Sequence, residues 1–144
     1  MLSASNYEFV DLGLPSGLKW ATCNIGANSP EEGGLYFAWG ETEGHTKDTE
    51  RIFNTDSYKH YKDGEYTKYT IYTFEKRDDL TTLEPCDDAA YVLDTCRMPT
   101  KDDFEELVNN TDFKHIQVKG INVLKCTSRV NDNYIFIPLA GSYC

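Results

Sequence analysis

Residues 7–14, Tyr-Glu-Phe-Val-Asp-Leu-Gly-Leu, alternate so that Val10, Leu12 and Leu14 share one face of an extended strand. Pro15-Ser16-Gly17 follows, with proline suited to the fixed φ of a type I turn and glycine to the left-handed residue that closes it. Leu18 and Trp20 then share a face of the return segment. The pattern predicts a β-hairpin over residues 7–25.

Beyond the turn-rich 29–34, the run Leu35-Tyr36-Phe37-Ala38-Trp39 is short, aromatic and bounded by glycines, which predicts a buried strand or a packed loop. Residues 42–80 are polar and rich in Thr and Tyr, a long insertion that is either a functional loop or a dispensable one. Within it, Tyr66, Tyr69, Ile71, Tyr72 and Phe74 suit one short strand or a cover over the core. Residues 85–94 offer an aspartate cap and a short apolar face, predicting a first helix. Thr100 and Asp103 have the spacing of a reciprocal capping pair, and Asp102 and Asp103 favour the positive end of a helix dipole. Phe104, Leu107 and Val108 then form the buried stripe of a second helix, ended by Asn109-Asn110 in left-handed geometry. Residues 120–130 and 134–139 predict a closing hairpin turned by Asn131-Asp132-Asn133, with Pro138 where pairing stops. The order predicts an α+β fold in one domain, residues 1–144, with both hairpins in one mostly antiparallel sheet and two short helices packed on it.

Charge narrows the functional classes. With 24 acidic against 14 basic residues, the net charge is −10, the wrong sign for a nucleic-acid surface. The lysines around Lys59–Lys68 are interleaved with acids and read as a solvated loop. No apolar run reaches the length of a membrane span, and the start has neither the basic region nor the apolar core of a signal peptide. A soluble chain is expected: cytosolic, a virion component, or an exported domain whose leader was removed. Cys23, Cys86, Cys96, Cys126 and Cys144 lack a Cys-x-x-Cys spacing and signal no zinc or redox site. A Cys86–Cys96 disulfide is one alternative, and buried thiols acting as small hydrophobes the other.

The stretch Arg97-Met98-Pro99-Thr100, with Asp103, Phe104 and Glu105, resembles the helix motif of the formylglycine-generating-enzyme-like branch of the C-type-lectin-like fold. Residues 7–27 resemble the opening of the Fibrobacter succinogenes major paralogous domain. Residues 36–41, 87–90 and 135–141 are similar to its later blocks, in order. The resemblance covers residues 7–144 and implies a C-type-lectin-like fold with structural roles for Trp20, Trp39, Arg97, Pro99, Thr100, Asp103 and Phe104. Two features depart from the family. Leu93-Asp94-Thr95-Cys96 replaces a glycine- and tryptophan-containing step, and members continue with further strands where this chain stops at Cys144, implying C-terminal truncation.

That family occurs in secreted and lipid-anchored proteins of gut Bacteroidetes and in their phages. The resemblance therefore implies non-catalytic recognition of a protein or glycan, extracellular, at the cell surface, or on a virion. The alternatives are a structural component completed by a homo-oligomer or partner chain, and an oxidase related to the formylglycine-generating enzymes. Those enzymes use a C-terminal cysteine pair, and Cys144 has no cysteine after it, so no catalysis is expected. No cofactor is expected either. Glu41, Glu43 and Asp48 are candidate calcium ligands, but solvated charges are the simpler reading because calcium needs about six converging oxygens. Asn109-Asn110-Thr111 is formally a glycosylation sequon. Trp20, Trp39, Phe104 and Phe136 read as core, leaving Tyr58, Tyr61, Tyr66 and Tyr69 in the insertion as the candidate ligand-binding residues, since tyrosine joins rigid area to a polar tip.

Overall fold

The computed structural model describes residues 8–71, 77–94 and 96–141. In chain order the elements are β1 (Phe9–Asp11), β2 (Lys19–Ala21), β3 (Tyr61–Lys62), β4 (Glu65–Tyr66), α1 (Ala89–Asp94), α2 (Lys101–Asn110), β5 (Thr111–Val118), β6 (Ile121–Ser128) and β7 (Tyr134–Pro138). The composition is α+β, and among the described residues the strands pair antiparallel in three sheets, β1-β2, β3-β4 and β5-β6-β7. The chain divides into two compact units. One runs to Leu35 and resumes over Pro99–Gly141, and the other spans Tyr36–Met98.

In the first unit, the β1-β2 hairpin forms as its pattern dictates, with Val10 opposite Trp20. Gly17 N–H donates to Leu14 O at 2.9 Å, and Gly17 takes φ +77°, which a side chain would oppose. The Glu106 carboxylate of α2 holds the turn by accepting from Ser16 N (3.0 Å) and Ser16 Oγ (2.6 Å). Leu12, Leu14 and Trp20 enter a core completed by Leu107, Cys126 and Ile135, with Val10, Leu18 and Ile137 packed against it.

The two terminal hairpins do not share a ladder, contrary to expectation. Three side chains bridge them instead. Ser128 Oγ donates to Leu12 O at 2.6 Å, and the Asn131 and Asn133 side-chain amides both donate to Asp11 O at 2.9 Å. The Asn131–Asn133 turn therefore acts as a clamp on β1. Nor do two helices rest on one sheet, because α1 belongs to the second unit and α2 to the first.

Helix α2 carries the expected capping pair. Thr100 Oγ1 accepts from Asp103 N (3.2 Å), and the Asp103 carboxylate accepts from Thr100 N (2.7 Å). Its apolar stripe is narrower than the spacing predicts: Leu107 is 0% exposed, but Phe104 and Val108 are exposed. Phe104 covers Trp20, with ring centroids 5.3 Å apart. The helix ends without a left-handed residue. Thr111 turns to an extended φ of −131° and donates its buried hydroxyl to Leu107 O at 2.7 Å, launching β5 directly. The threonine of the Asn109 sequon is thus sealed in the fold.

Strand β5 was not anticipated. Its apolar residues fall on both faces, with Phe113 in register with Cys126 of the core and Ile116 and Val118 on the opposite side. In the second unit, 36–41 is a packed loop tied to its surroundings by a Tyr36–His45 bridge, and Tyr66 ends a two-residue strand. Ile71 lies in a turn, while Tyr72 and Phe74 lie outside the described residues. The apolar face expected of α1 is not buried, since Tyr91, Val92 and Leu93 are all exposed.

Leu107→Ala should lower stability by about 3 kcal/mol, because a fully buried leucine leaves a cavity. Val108→Ala, one position along, should cost under about 1 kcal/mol. Urea unfolding of both variants measures the contrast, and equal losses would contradict the assigned helix face.

Candidate functional site

The four candidate tyrosines lie in the second unit, and the fold links them. Ring contacts run from Tyr61 to Tyr66 (centroids 5.0 Å), Tyr66 to Tyr58 (6.4 Å), Tyr58 to His60 (5.5 Å) and His60 to Tyr69 (5.5 Å). The run ends on Trp39, whose ring meets Tyr69 edge-on at 4.6 Å. Trp39 was expected in the core, yet it is 46% exposed, matching Tyr66 at 45%. Phe104 also fails the core expectation, while Trp20 meets it and Phe136 is half-buried.

A polar centre that the sequence reading missed holds this run in place. Asp87 is 2% exposed at the end of the 3₁₀ turn Pro85–Asp87. Its carboxylate accepts from Lys59 Nζ (2.9 Å), Lys68 Nζ (2.5 Å) and Tyr69 OH (2.8 Å), and His60 Nε2 lies 3.6 Å away. Burial alone would raise the Asp87 pKa. The hydrogen bonds from Lys68, Lys59 and Tyr69 outweigh that and hold it well below the usual carboxylate range. Lys68, bonded to Asp87 and to Glu84 at 3.0 Å, is correspondingly raised and stays charged. These two lysines were read as part of a solvated loop. Lys59 keeps half its side chain in water, but Lys68 is pinned.

Tyr69 is fixed at both ends. Its backbone adopts φ +58°, uncommon for a bulky residue, and the Asp78 carboxylate stabilises it by accepting from Tyr69 N (2.7 Å) and Thr70 N (2.9 Å). Its hydroxyl donates to Asp87 and accepts from Glu84 N at 2.9 Å. Burial, opposed by the Glu84 N–H and reinforced by the Asp87 carboxylate, keeps the phenol above its ordinary pKa and so protonated at neutral pH. Backbone in a sparsely populated region, held by its surroundings, often marks a binding surface.

A second buried carboxylate braces the same unit. Arg51 donates to both oxygens of Glu41, at 2.6 and 2.9 Å, and Lys59 N donates to Glu41 at 2.8 Å. The Arg51 hydrogen bonds outweigh burial and lower the Glu41 pKa. Glu41 is therefore neutralised by a guanidinium, not presented to calcium. Among the described residues no group of three His, Cys, Asp or Glu side chains is placed to hold a metal. Asp88 accepts from Ala90 N (3.0 Å) and Met98 N (2.9 Å), capping α1 and tying down the start of the Arg97-Met98-Pro99-Thr100 stretch. Arg97 is exposed and bonds Met98 O at 3.4 Å.

Cys23, Cys86, Cys96 and Cys126 are free thiols, so the structure holds no Cys86–Cys96 bond. Cys126 alone among these four is buried, and burial raises its pKa to about 11. Exposed Cys86 does not act as a core hydrophobe. Cys144 lies outside the described residues. No helix among the described residues is long and apolar enough to cross a membrane. Compared with family models, curated proteins and solved structures, the chain finds no match.

Because Asp87 and Glu41 bind fewer protons folded than unfolded, the stability they add is complete above about pH 5 and declines as pH falls through about 4 and below. Denaturant midpoints between pH 7 and pH 2.5 should follow that course. Asp87→Asn, which removes the carboxylate charge shared by Lys59 and Lys68 and leaves Lys68 with Glu84 alone, should cost about 3 kcal/mol at pH 7 and flatten the acid limb. An unchanged acid limb would remove Asp87 from this role.

Proposed function

We propose that the protein is a non-catalytic recognition module with a C-type-lectin-like fold, of the Fibrobacter succinogenes major paralogous domain type. It binds a protein or glycan at a bacterial cell or phage surface. One observation carries the reading: Tyr58, Tyr61, Tyr66 and Tyr69, chosen for their chemistry, form a continuous run of ring contacts that ends on exposed Trp39. Half-exposed aromatic faces offer stacking area to a sugar ring or an apolar side chain, and phenol tips offer hydrogen bonds. The Asp87 centre supports binding over catalysis. Its carboxylate already accepts three hydrogen bonds and its lysine partner is held charged, so neither is a ready base or nucleophile. Rigidity of this kind lowers the ordering cost of association.

A structural role in a virion or surface assembly is the second reading. It is favoured by the sheet order β5-β6-β7, in which, among the described residues, β5 and β7 each pair with β6 alone, leaving an outer edge that a partner chain could extend.

Glycan and protein arrays should yield a ligand that Trp39→Ala or Tyr66→Ala weakens at least tenfold without loss of folding, about 1.4 kcal/mol in binding. Retained affinity in both variants would remove the aromatic run from recognition. Sedimentation at increasing concentration addresses the assembly reading, which predicts a stable oligomer and is contradicted by a strict monomer.

A further inference from the structure

We infer that the patch around Lys114, Lys125, Tyr134 and Phe136, on the β5-β6-β7 face turned from the core, is a second binding site, selective for a carboxylated saccharide; the next row of that face, Ile116, Val123 and Pro138, is largely buried and bounds the patch. Register places Lys114, Lys125 and Phe136 in one row across the three strands, with Asp112, Thr127 and Tyr134 in the next. The alternate positions Cys126 and Ile135 face the core, so both rows face away from it. Two lysines directly opposite each other repel, a costly arrangement on a chain with acids to spare. No carboxylate relieves them among the described residues. Asp112, the acid in the adjacent row, is engaged with Arg129 Nε at 2.9 Å. Lys125 instead sets its ammonium over the Tyr134 ring, 4.2 Å from the centroid, and Tyr134 in turn lies 5.4 Å from Phe136.

Adjacent strands are about 4.8 Å apart, so the ammonium groups of facing lysines can both reach one carboxylate placed between them. Tyr134, exposed but with the Lys125 ammonium over one ring face, and half-exposed Phe136 lie beside that position and offer apolar edge to the C–H groups of a pyranose. A single ring bearing a single carboxylate satisfies both features within two rows. An acidic peptide would need a longer basic track than one lysine pair. This face lies in the first unit, independent of the tyrosine run in the second.

Titration of the intact chain with oligogalacturonate, followed by NMR, tests the inference against a neutral galactose oligomer and hexaglutamate. Oligogalacturonate should shift the Tyr134 and Phe136 ring signals. Its affinity should drop at least tenfold in the doubly substituted Lys114→Gln, Lys125→Gln chain and several-fold on raising salt from 50 to 500 mM. Lys125→Arg, which keeps the charge, should retain binding, and Trp39→Ala should leave it unchanged, separating this site from the recognition surface proposed above. No oligogalacturonate binding, equal binding of the neutral oligomer, tighter binding of hexaglutamate, or undiminished affinity in the folded double-glutamine variant would each overturn the assignment.

Discussion

The hydrogen bond from Ser128 Oγ to Leu12 O joins residues 116 positions apart, and the first unit rests on that closure. Strands β1 and β2 have three residues each, too short to stand alone in water. Only when Leu12, Leu14 and Trp20 meet Leu107, Cys126 and Ile135 does the hairpin acquire a core. Bringing such distant segments together costs roughly 4 kcal/mol of chain entropy before any constant term. Apolar burial offsets it, and the Ser128, Asn131 and Asn133 donors fix the register by satisfying the carbonyls of residues 11 and 12.

The second unit lies within the closed loop of sequence and is organised on another principle. Its strands are two residues long and its helix leaves Tyr91, Val92 and Leu93 in water, so apolar burial contributes little. Buried carboxylates take that part. Asp87 gathers Lys59, Lys68 and Tyr69, and Glu41 gathers Arg51 and the backbone of Lys59. Such centres demand complete partnering, and this sets side chains firmly. Here Asp87 orients Tyr69 directly.

Local chemistry was legible in the sequence and distant chemistry was not. The Thr100–Asp103 cap and the Leu14–Gly17 turn depend on residues within one turn of chain, and both form as their spacing dictates. Strand β5 escaped notice because its apolar residues divide between two faces and no turn residue separates it from α2. Trp39 looked buried because a glycine-bounded aromatic run suggests burial, but it does not fix which ring faces out. The pattern of residues 85–94 offers an aspartate cap, a part that Asp88 takes, and gives Asp87 no separate role. The partners of Asp87 lie 28, 19 and 18 residues away, beyond any local pattern, although lysines embedded in an acidic, tyrosine-rich insertion were a usable sign. The grouping of Tyr58, Tyr61, Tyr66 and Tyr69 was legible as chemistry, whereas their connection through His60 needed the fold.

The separation of Leu12 from Ser128 also bears on synthesis. A ribosome adding about 5–20 residues per second needs roughly 6–23 s to make the intervening chain. Throughout that interval Leu12, Leu14 and Trp20 have emerged, or are emerging, without the surface that will cover them. The growth of the polypeptide itself therefore sets how long these apolar side chains stay uncovered.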